Sequence, residues 1–297
     1  MSSNENALRL CALCQEARPL SRSHIIPRFF TEGGHQMFPT GKDGSLQPFV
    51  DATHTDPTIK LGRMQKGFWD SKLGVVQHLL CNECEQRFSK LESYVRRYFY
   101  GTTTPIRLQL SLKLDPFFRV DYSQFKLFQL SLLWRASTAR GSFFEKVELG
   151  EKHTERIRRM LLENDPGHED EYACTLCRFT STPEIDKLLE RWNAALETMM
   201  FAPIVHRFEG CRFYTFIFGG LVWGFCVTSA RVPSILEHSY LKKDGVFYLS
   251  PLNAQGFLAH FAKKVVKTGN YPPPAGWGEK GPSSIVKDFT IFRGGTC

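Results

Sequence analysis

Four cysteines arrive as two Cys-x-x-Cys pairs: Cys11 and Cys14 in "LCALCQEARPL", Cys81 and Cys84 in "HLLCNECEQRF". A single pair is a redox couple, half of a metal site, or a coincidence. Two pairs supply the four thiolates of a tetrahedral Zn²⁺ site, and such a site contributes folding free energy outright. The second pair opens a run with helical period, so its thiolates would sit at a helix N-terminus, where the dipole favours negative charge. The segment between the pairs is longer than a compact zinc finger allows, so it must carry an insert. Beside the first pair lies "RSHIIPRFF", with His24 in an apolar run that ends at Pro27. Glu85 directly follows the last cysteine.

A third pair, Cys174 and Cys177, follows His168 in "EYACTLCRFT". Further ligands there would have to come from Cys211 or Cys226. The expectation is that these cysteines are small buried strand residues. No βαβ pattern frames any pair, against a thioredoxin-like reading. A Gly-x-x-x-x-Gly-Lys phosphate loop and a Gly-x-Ser-x-Gly elbow are both absent, against a nucleotide-driven motor and an α/β-hydrolase.

These groups need elements to hold them. The chain has 297 residues, 42% hydrophobic and 13% aromatic, with 25 Phe, which is enough for a proper core. In "CNECEQRFSKLESYVRRYFYG", Phe88, Leu91, Val95 and Tyr98 share a helical face. "PIRLQLSLKLDPFF" alternates like a strand. "DYSQFKLFQLSLLWRASTA" reads as a buried helix capped by Asp121, and "EKHTERIRRMLLEND" as a charged amphipathic helix. "STPEIDKLLERWNAALETMM" reads as another helix, with Pro183 in its first turn. Strands are expected at 204–207, 213–218, 222–229 and 246–249, a helix near 254–266, and a loop-like tail. The apolar run Phe213–Val227 is broken by Gly219-Gly220 and reads as a hairpin, too short for a membrane span. The expected class is α+β: a zinc-stabilised module over 7–101, then an α+β domain over 102–297.

Charge narrows the partners. Lys and Arg number 38 against 30 Asp and Glu, a net charge of +8. Arg18, Arg22, Arg28 and Arg87 surround the cysteine module, with Lys90, Arg96 and Arg97 further along the helix. They are candidate phosphate contacts for salt-dependent, largely sequence-independent nucleic-acid binding. Interleaved Glu16, Glu83 and Glu92 leave an ordinary solvated surface open as the alternative. The odd count of nine Cys and the polar start "MSSNENALRL" lead to the expectation of a cytoplasmic chain without a disulfide scaffold or a membrane partner.

CxxC, then "SHIIP", then "LLCNECE" at a helix start resembles the zinc-bearing branch of the HNH endonucleases, over roughly the first 100 residues. That resemblance implies a treble-clef, ββα-metal fold in which a histidine on a hairpin activates water and a divalent metal stabilises the phosphate. Carried over, Cys11, Cys14, Cys81 and Cys84 match the structural zinc ligands, His24 the general base, and Glu85 a ligand of a catalytic Mg²⁺ or Mn²⁺. The implied activity is hydrolysis of nucleic-acid phosphodiesters, DNA first. The chain departs from the pattern at two places. Ser23 stands where an acidic ligand is usual, and Val76 stands near the usual place of the Asn that orients the histidine. Gln77 or His78 would replace that Asn only in a shifted register. Asp51, Asp56 and Asp70 in the insert are further carboxylate candidates. The alternative function is a catalytically silent zinc module that binds nucleic acid or protein.

Overall fold

The computed structural model describes residues 8–30, 36–38, 64–65, 68–70, 76–101, 117–140, 142–180, 199–229, 232–236 and 239–253. It is a mixed α+β chain with a four-cysteine cluster near its N-terminus. Strands β1 (Arg9–Leu10), β2 (Ala17–Arg18) and β3 (Leu20–His24) come first, then β4 (Gln36–Phe38), β5 (Met64–Gln65), β6 (Phe68–Asp70) and β7 (Val76–Cys81). Helix α1 (Asn82–Tyr100) follows β7 without a break. After β8 (Phe117–Arg119) come helices α2 (Tyr122–Thr138) and α3 (Glu151–Glu163). The rest is β9 (Cys174–Thr180), β10 (Met199–Phe208), β11 (Cys211–Phe218), β12 (Leu221–Val227), β13 (Val246–Tyr248) and β14 (Ser250–Asn253).

An eight-stranded sheet runs β14-β9-β12-β11-β10-β4-β6-β5. Its centre is antiparallel, whereas β14 joins β9 and β10 joins β4 in parallel. Separately, β3 pairs with β7, His24 opposite Val76 and Ser23 opposite Gln77, with an irregularity between Ser21 and Arg22. Expected and observed elements agree over α1, α2, α3 and the β11–β12 hairpin. Asp121 caps α2, accepting from the Gln124 amide at 2.9 Å. The helix expected up to Met200 is corrected at its end. Met199 and Met200 belong to β10 because they pair with Gln36 and Met37, and a sheet partner overrides local propensity. The strand expected over 105–116, the helices over 181–198 and 254–266, and the tail lie outside the described residues. Among the described residues no helix is long and apolar enough to cross a membrane.

Side chains from both sides of residue 101 meet in one core. Phe30 packs on Phe218 at 4.9 Å and on Trp223 at 5.7 Å, while Phe99 lies 5.8 Å from Trp223. From α2, Phe128 reaches the same indole at 5.8 Å. The cysteine-bearing segment is thus sealed against the sheet by aromatic faces, each fully or nearly fully buried.

The Gly219-Gly220 turn between β11 and β12 has φ of +63° and +72°, the primed geometry whose twist matches a two-residue hairpin. Gly219 also leaves no room: a Cβ there would lie 2.7 Å from Phe30 Cδ1. Gly219→Ala combines a left-handed backbone with overpacking of the aromatic core. The expected loss is roughly 2–4 kcal/mol in urea denaturation. A loss below about 0.5 kcal/mol would mean the turn does not seat against Phe30.

Candidate metal centre and the adjoining polar cluster

The first cysteine pair sits on a tight knuckle. The Cys11 amide donates to Glu16 O and the Gln15 amide to Cys11 O, each at 2.9 Å, with Gln15 turned to φ +62°. The Ala12 amide donates to Leu79 O at 3.0 Å, which lashes the knuckle to β7. The second pair is placed by the junction of β7 and α1: Cys81 precedes the helix and Cys84 lies in its first turn. The four Sγ atoms lie within 4.8 Å of one another. Cys14 and Cys81 are 3.9 Å apart, against an edge of about 3.8 Å for a tetrahedron with Zn–S near 2.3 Å. The Cys81 amide donates to Cys11 Sγ at 3.3 Å.

The donor set fits a thiophilic ion. Burial, with the crowding of the other sulfurs, pushes the Cys84 thiol far up. At Cys11 burial opposes the thiolate, but the amides of Cys81, Cys14 and Leu13 outweigh it and pull the thiol down. A metal ion held by these sulfurs would displace the remaining protons. These cysteines therefore can hold a metal ion such as zinc. The third pair is elsewhere: Cys174 is buried in β9, and burial raises both it and Cys177. Cys211 and Cys226 are joined to each other as a disulfide across β11 and β12. Among the described residues the cage of Cys11, Cys14, Cys81 and Cys84 is the one such cluster.

Beside the cage, where β3 meets α1, lies a cluster of buried polar groups. Ser23 is fully buried, its Oγ accepts from the Leu80 amide at 3.1 Å, and its hydroxyl is close enough to Glu85 to bias that carboxyl. Burial raises Glu85, while the Ser23 hydroxyl and the charge of Arg135 pull it back. Glu85 Oε1 is buried with no hydrogen-bond partner among the described residues. Arg135 enters from α2, 1% exposed. Its Nη1 donates to His24 O at 2.6 Å and to Glu92 Oε1 at 2.8 Å. Its Nε and Nη2 bond Ser131 O and Ser131 Oγ, each at 3.3 Å. The guanidinium carbon lies 5.2 Å from the centre of the Phe88 ring. A buried charge must be paired, and here every part of it is.

The structure thus brings Ser23, Glu85 and the backbone carbonyl of His24 around Arg135, and adds Glu92 and Arg135 itself, which sequence reasoning missed. The available signal was an arginine amid the apolar run "LSLLWRAS", which has to find a buried partner. The two candidates for orienting His24 are engaged otherwise. Gln77 exchanges hydrogen bonds with the Arg140 backbone, and His78 Nδ1 meets Leu20 O at 3.1 Å. Asp51 and Asp56, and the side chain of Asp70, lie outside the described residues. Of the proposed phosphate contacts, Arg22 and Arg28 are exposed on and just after β3. Arg18 is bridged to Glu16 and Glu83, and Arg87 donates to Leu162 O at 2.9 Å. Lys90, Arg96 and Arg97 are exposed on α1.

Compared with known proteins, the chain matches no family model, no curated protein and no solved structure.

Proposed function

We propose that the chain binds nucleic acid, DNA in the first place, through a zinc-built ββα module of the HNH type, and that this module does not carry metal-dependent hydrolysis. The observation that carries the reading is the buried guanidinium of Arg135. The resemblance assigns a catalytic divalent ion to the neighbourhood of Ser23 and Glu85. There the local carboxylates, Glu85 and Glu92, already face a fixed internal cation. A divalent ion would be repelled by that charge and would find a neutral hydroxyl at Ser23 in place of an acid. The antiparallel β3–β7 pair, the four-cysteine cage and α1 supply the scaffold. Arg22, Arg28, Lys90, Arg96 and Arg97 supply exposed positive charge for phosphates.

Binding should be dominated by phosphate contacts. Measured by fluorescence anisotropy on random-sequence duplexes, affinity should fall steeply with salt, and Arg22→Ala combined with Arg28→Ala should reduce the salt slope by about 2. Binding that ignores salt, or no binding below 50 mM salt, would remove the nucleic-acid reading.

One observation favours the second reading, an HNH-type endonuclease. The Ser23 hydroxyl lies near enough to lower the Glu85 carboxyl, and His24 is next on the same strand. In that reading His24 is the general base and Glu85 holds Mg²⁺ or Mn²⁺, which would stabilise charge on the phosphate.

A further inference from the structure

The cysteine cage is held from a place remote in sequence. Arg158, in the middle of α3, donates from Nη1 to the carbonyl of Leu13, the fully buried residue just before Cys14. Its Nε and Nη2 grip Glu155 at 2.7 and 2.8 Å. Glu155 also binds Arg159 at 2.9 Å, so two guanidiniums share one carboxylate and this part of α3 keeps an excess positive charge. Arg158 is only slightly exposed, so its cation is poorly screened. The far end of α3 is tied as well, since Leu162 O accepts from Arg87 of α1. Arg18, which follows the knuckle in β2, is offset by Glu16 and Glu83 and adds no net positive charge. A zinc tetrathiolate has a net charge of about −2, and an ion of that kind is stabilised by outer hydrogen bonds and by nearby cations.

We propose that Arg158 is the outer positioning residue of the metal centre. Through the Leu13 carbonyl it fixes the knuckle so that Cys11 and Cys14 converge on one ion, and its cation offsets the excess negative charge of the loaded cage. This rests on the four cysteines taking zinc. It assigns to α3, which lies outside the cysteine-bearing segment, a direct part in metal affinity. Loss of such partners typically costs 10–100-fold in metal affinity.

The test measures zinc affinity of the full chain by competition with a chelating dye, together with the thiolate absorption of the Co²⁺-loaded form. Four proteins are compared: wild type, Arg158→Lys, Arg158→Gln and Arg158→Met. Arg158→Met, which loses both charge and donor, should weaken zinc by 10–100-fold and shift the Co²⁺ bands. Arg158→Gln should fall between it and wild type, and Arg158→Lys should stay within a few-fold of wild type. Should Arg158→Met misfold without metal, zinc release from the loaded proteins under excess chelator gives the same ranking. Arg158→Met within twofold of wild type, with unchanged Co²⁺ bands, overturns the assignment while leaving the cage intact. Arg158→Gln equal to wild type overturns the charge-offsetting role. Wild type that takes up neither Zn²⁺ nor Co²⁺ overturns the cage and this assignment together.

Discussion

Stripping the ion from a zinc-loaded cysteine cage is expected to abolish cooperative folding of the segment that contains β3, β7 and α1. The structural reason is local: the knuckle and the start of α1 are fastened by four sulfurs, one amide-to-sulfur bond and a few backbone hydrogen bonds. Apparent binding free energies of structural zinc run to about 10–16 kcal/mol at neutral pH, comparable with or larger than the whole stability of an ordinary domain, about 5–15 kcal/mol. The loss will not stay local. Phe30, Phe88 and Phe99 of this segment pack on Trp134, Phe218 and Trp223 of the remainder, so the shared aromatic core opens with it. Near-ultraviolet circular dichroism of protein dialysed against a strong chelator should lose its aromatic signal. Cys14→Ser or Cys84→Ser should do the same without a chelator. An unchanged melting temperature in the metal-free protein would refute the structural role.

The second large effect belongs to Arg135. Arg135→Met keeps most of the aliphatic volume but strands Glu92 and Glu85 without their cation and leaves the His24 carbonyl without its donor. Breaking a buried pair from one side typically costs about 3–5 kcal/mol. Guanidinium denaturation should show a loss of that size. Arg135→Lys, which keeps charge but cannot fork, should lose less. Adding Glu92→Leu to Arg135→Met should recover part of the loss, because the orphaned carboxylate is then removed. A loss below about 1 kcal/mol for Arg135→Met would mean that the guanidinium does not hold hairpin and helices together.

What was legible in the sequence was local chemistry. The cysteine pairs announce themselves by spacing, α1 by the period of Phe88 and Val95, α2 by Asp121, and the β11–β12 hairpin by two glycines that tolerate positive φ. What was not legible was tertiary pairing. Nothing near residue 135 points to residues 24 and 92, and nothing near residue 158 points to Leu13. Gln77 looked like a candidate partner of His24, yet its amide is spent on the Arg140 backbone, a contact fixed only once α2 docks. Met199 and Met200 read as helix because their strand partner, Gln36–Met37, lies far away in the chain.

One incubation series separates silent nucleic-acid binding from catalysis. The 297-residue chain, loaded with zinc and free of contaminating nuclease, is mixed with labelled single-stranded DNA, duplex DNA and RNA across Mg²⁺, Mn²⁺, Ni²⁺ and Zn²⁺. Binding and cleavage are read from the same samples, with His24→Ala alongside. Both proteins should bind in a salt-sensitive manner, with no cleavage attributable to either under any metal. Metal-dependent cleavage by wild type that falls 10²–10⁴-fold in His24→Ala, the usual cost of losing a general base, would contradict silent binding and make His24 a catalytic base.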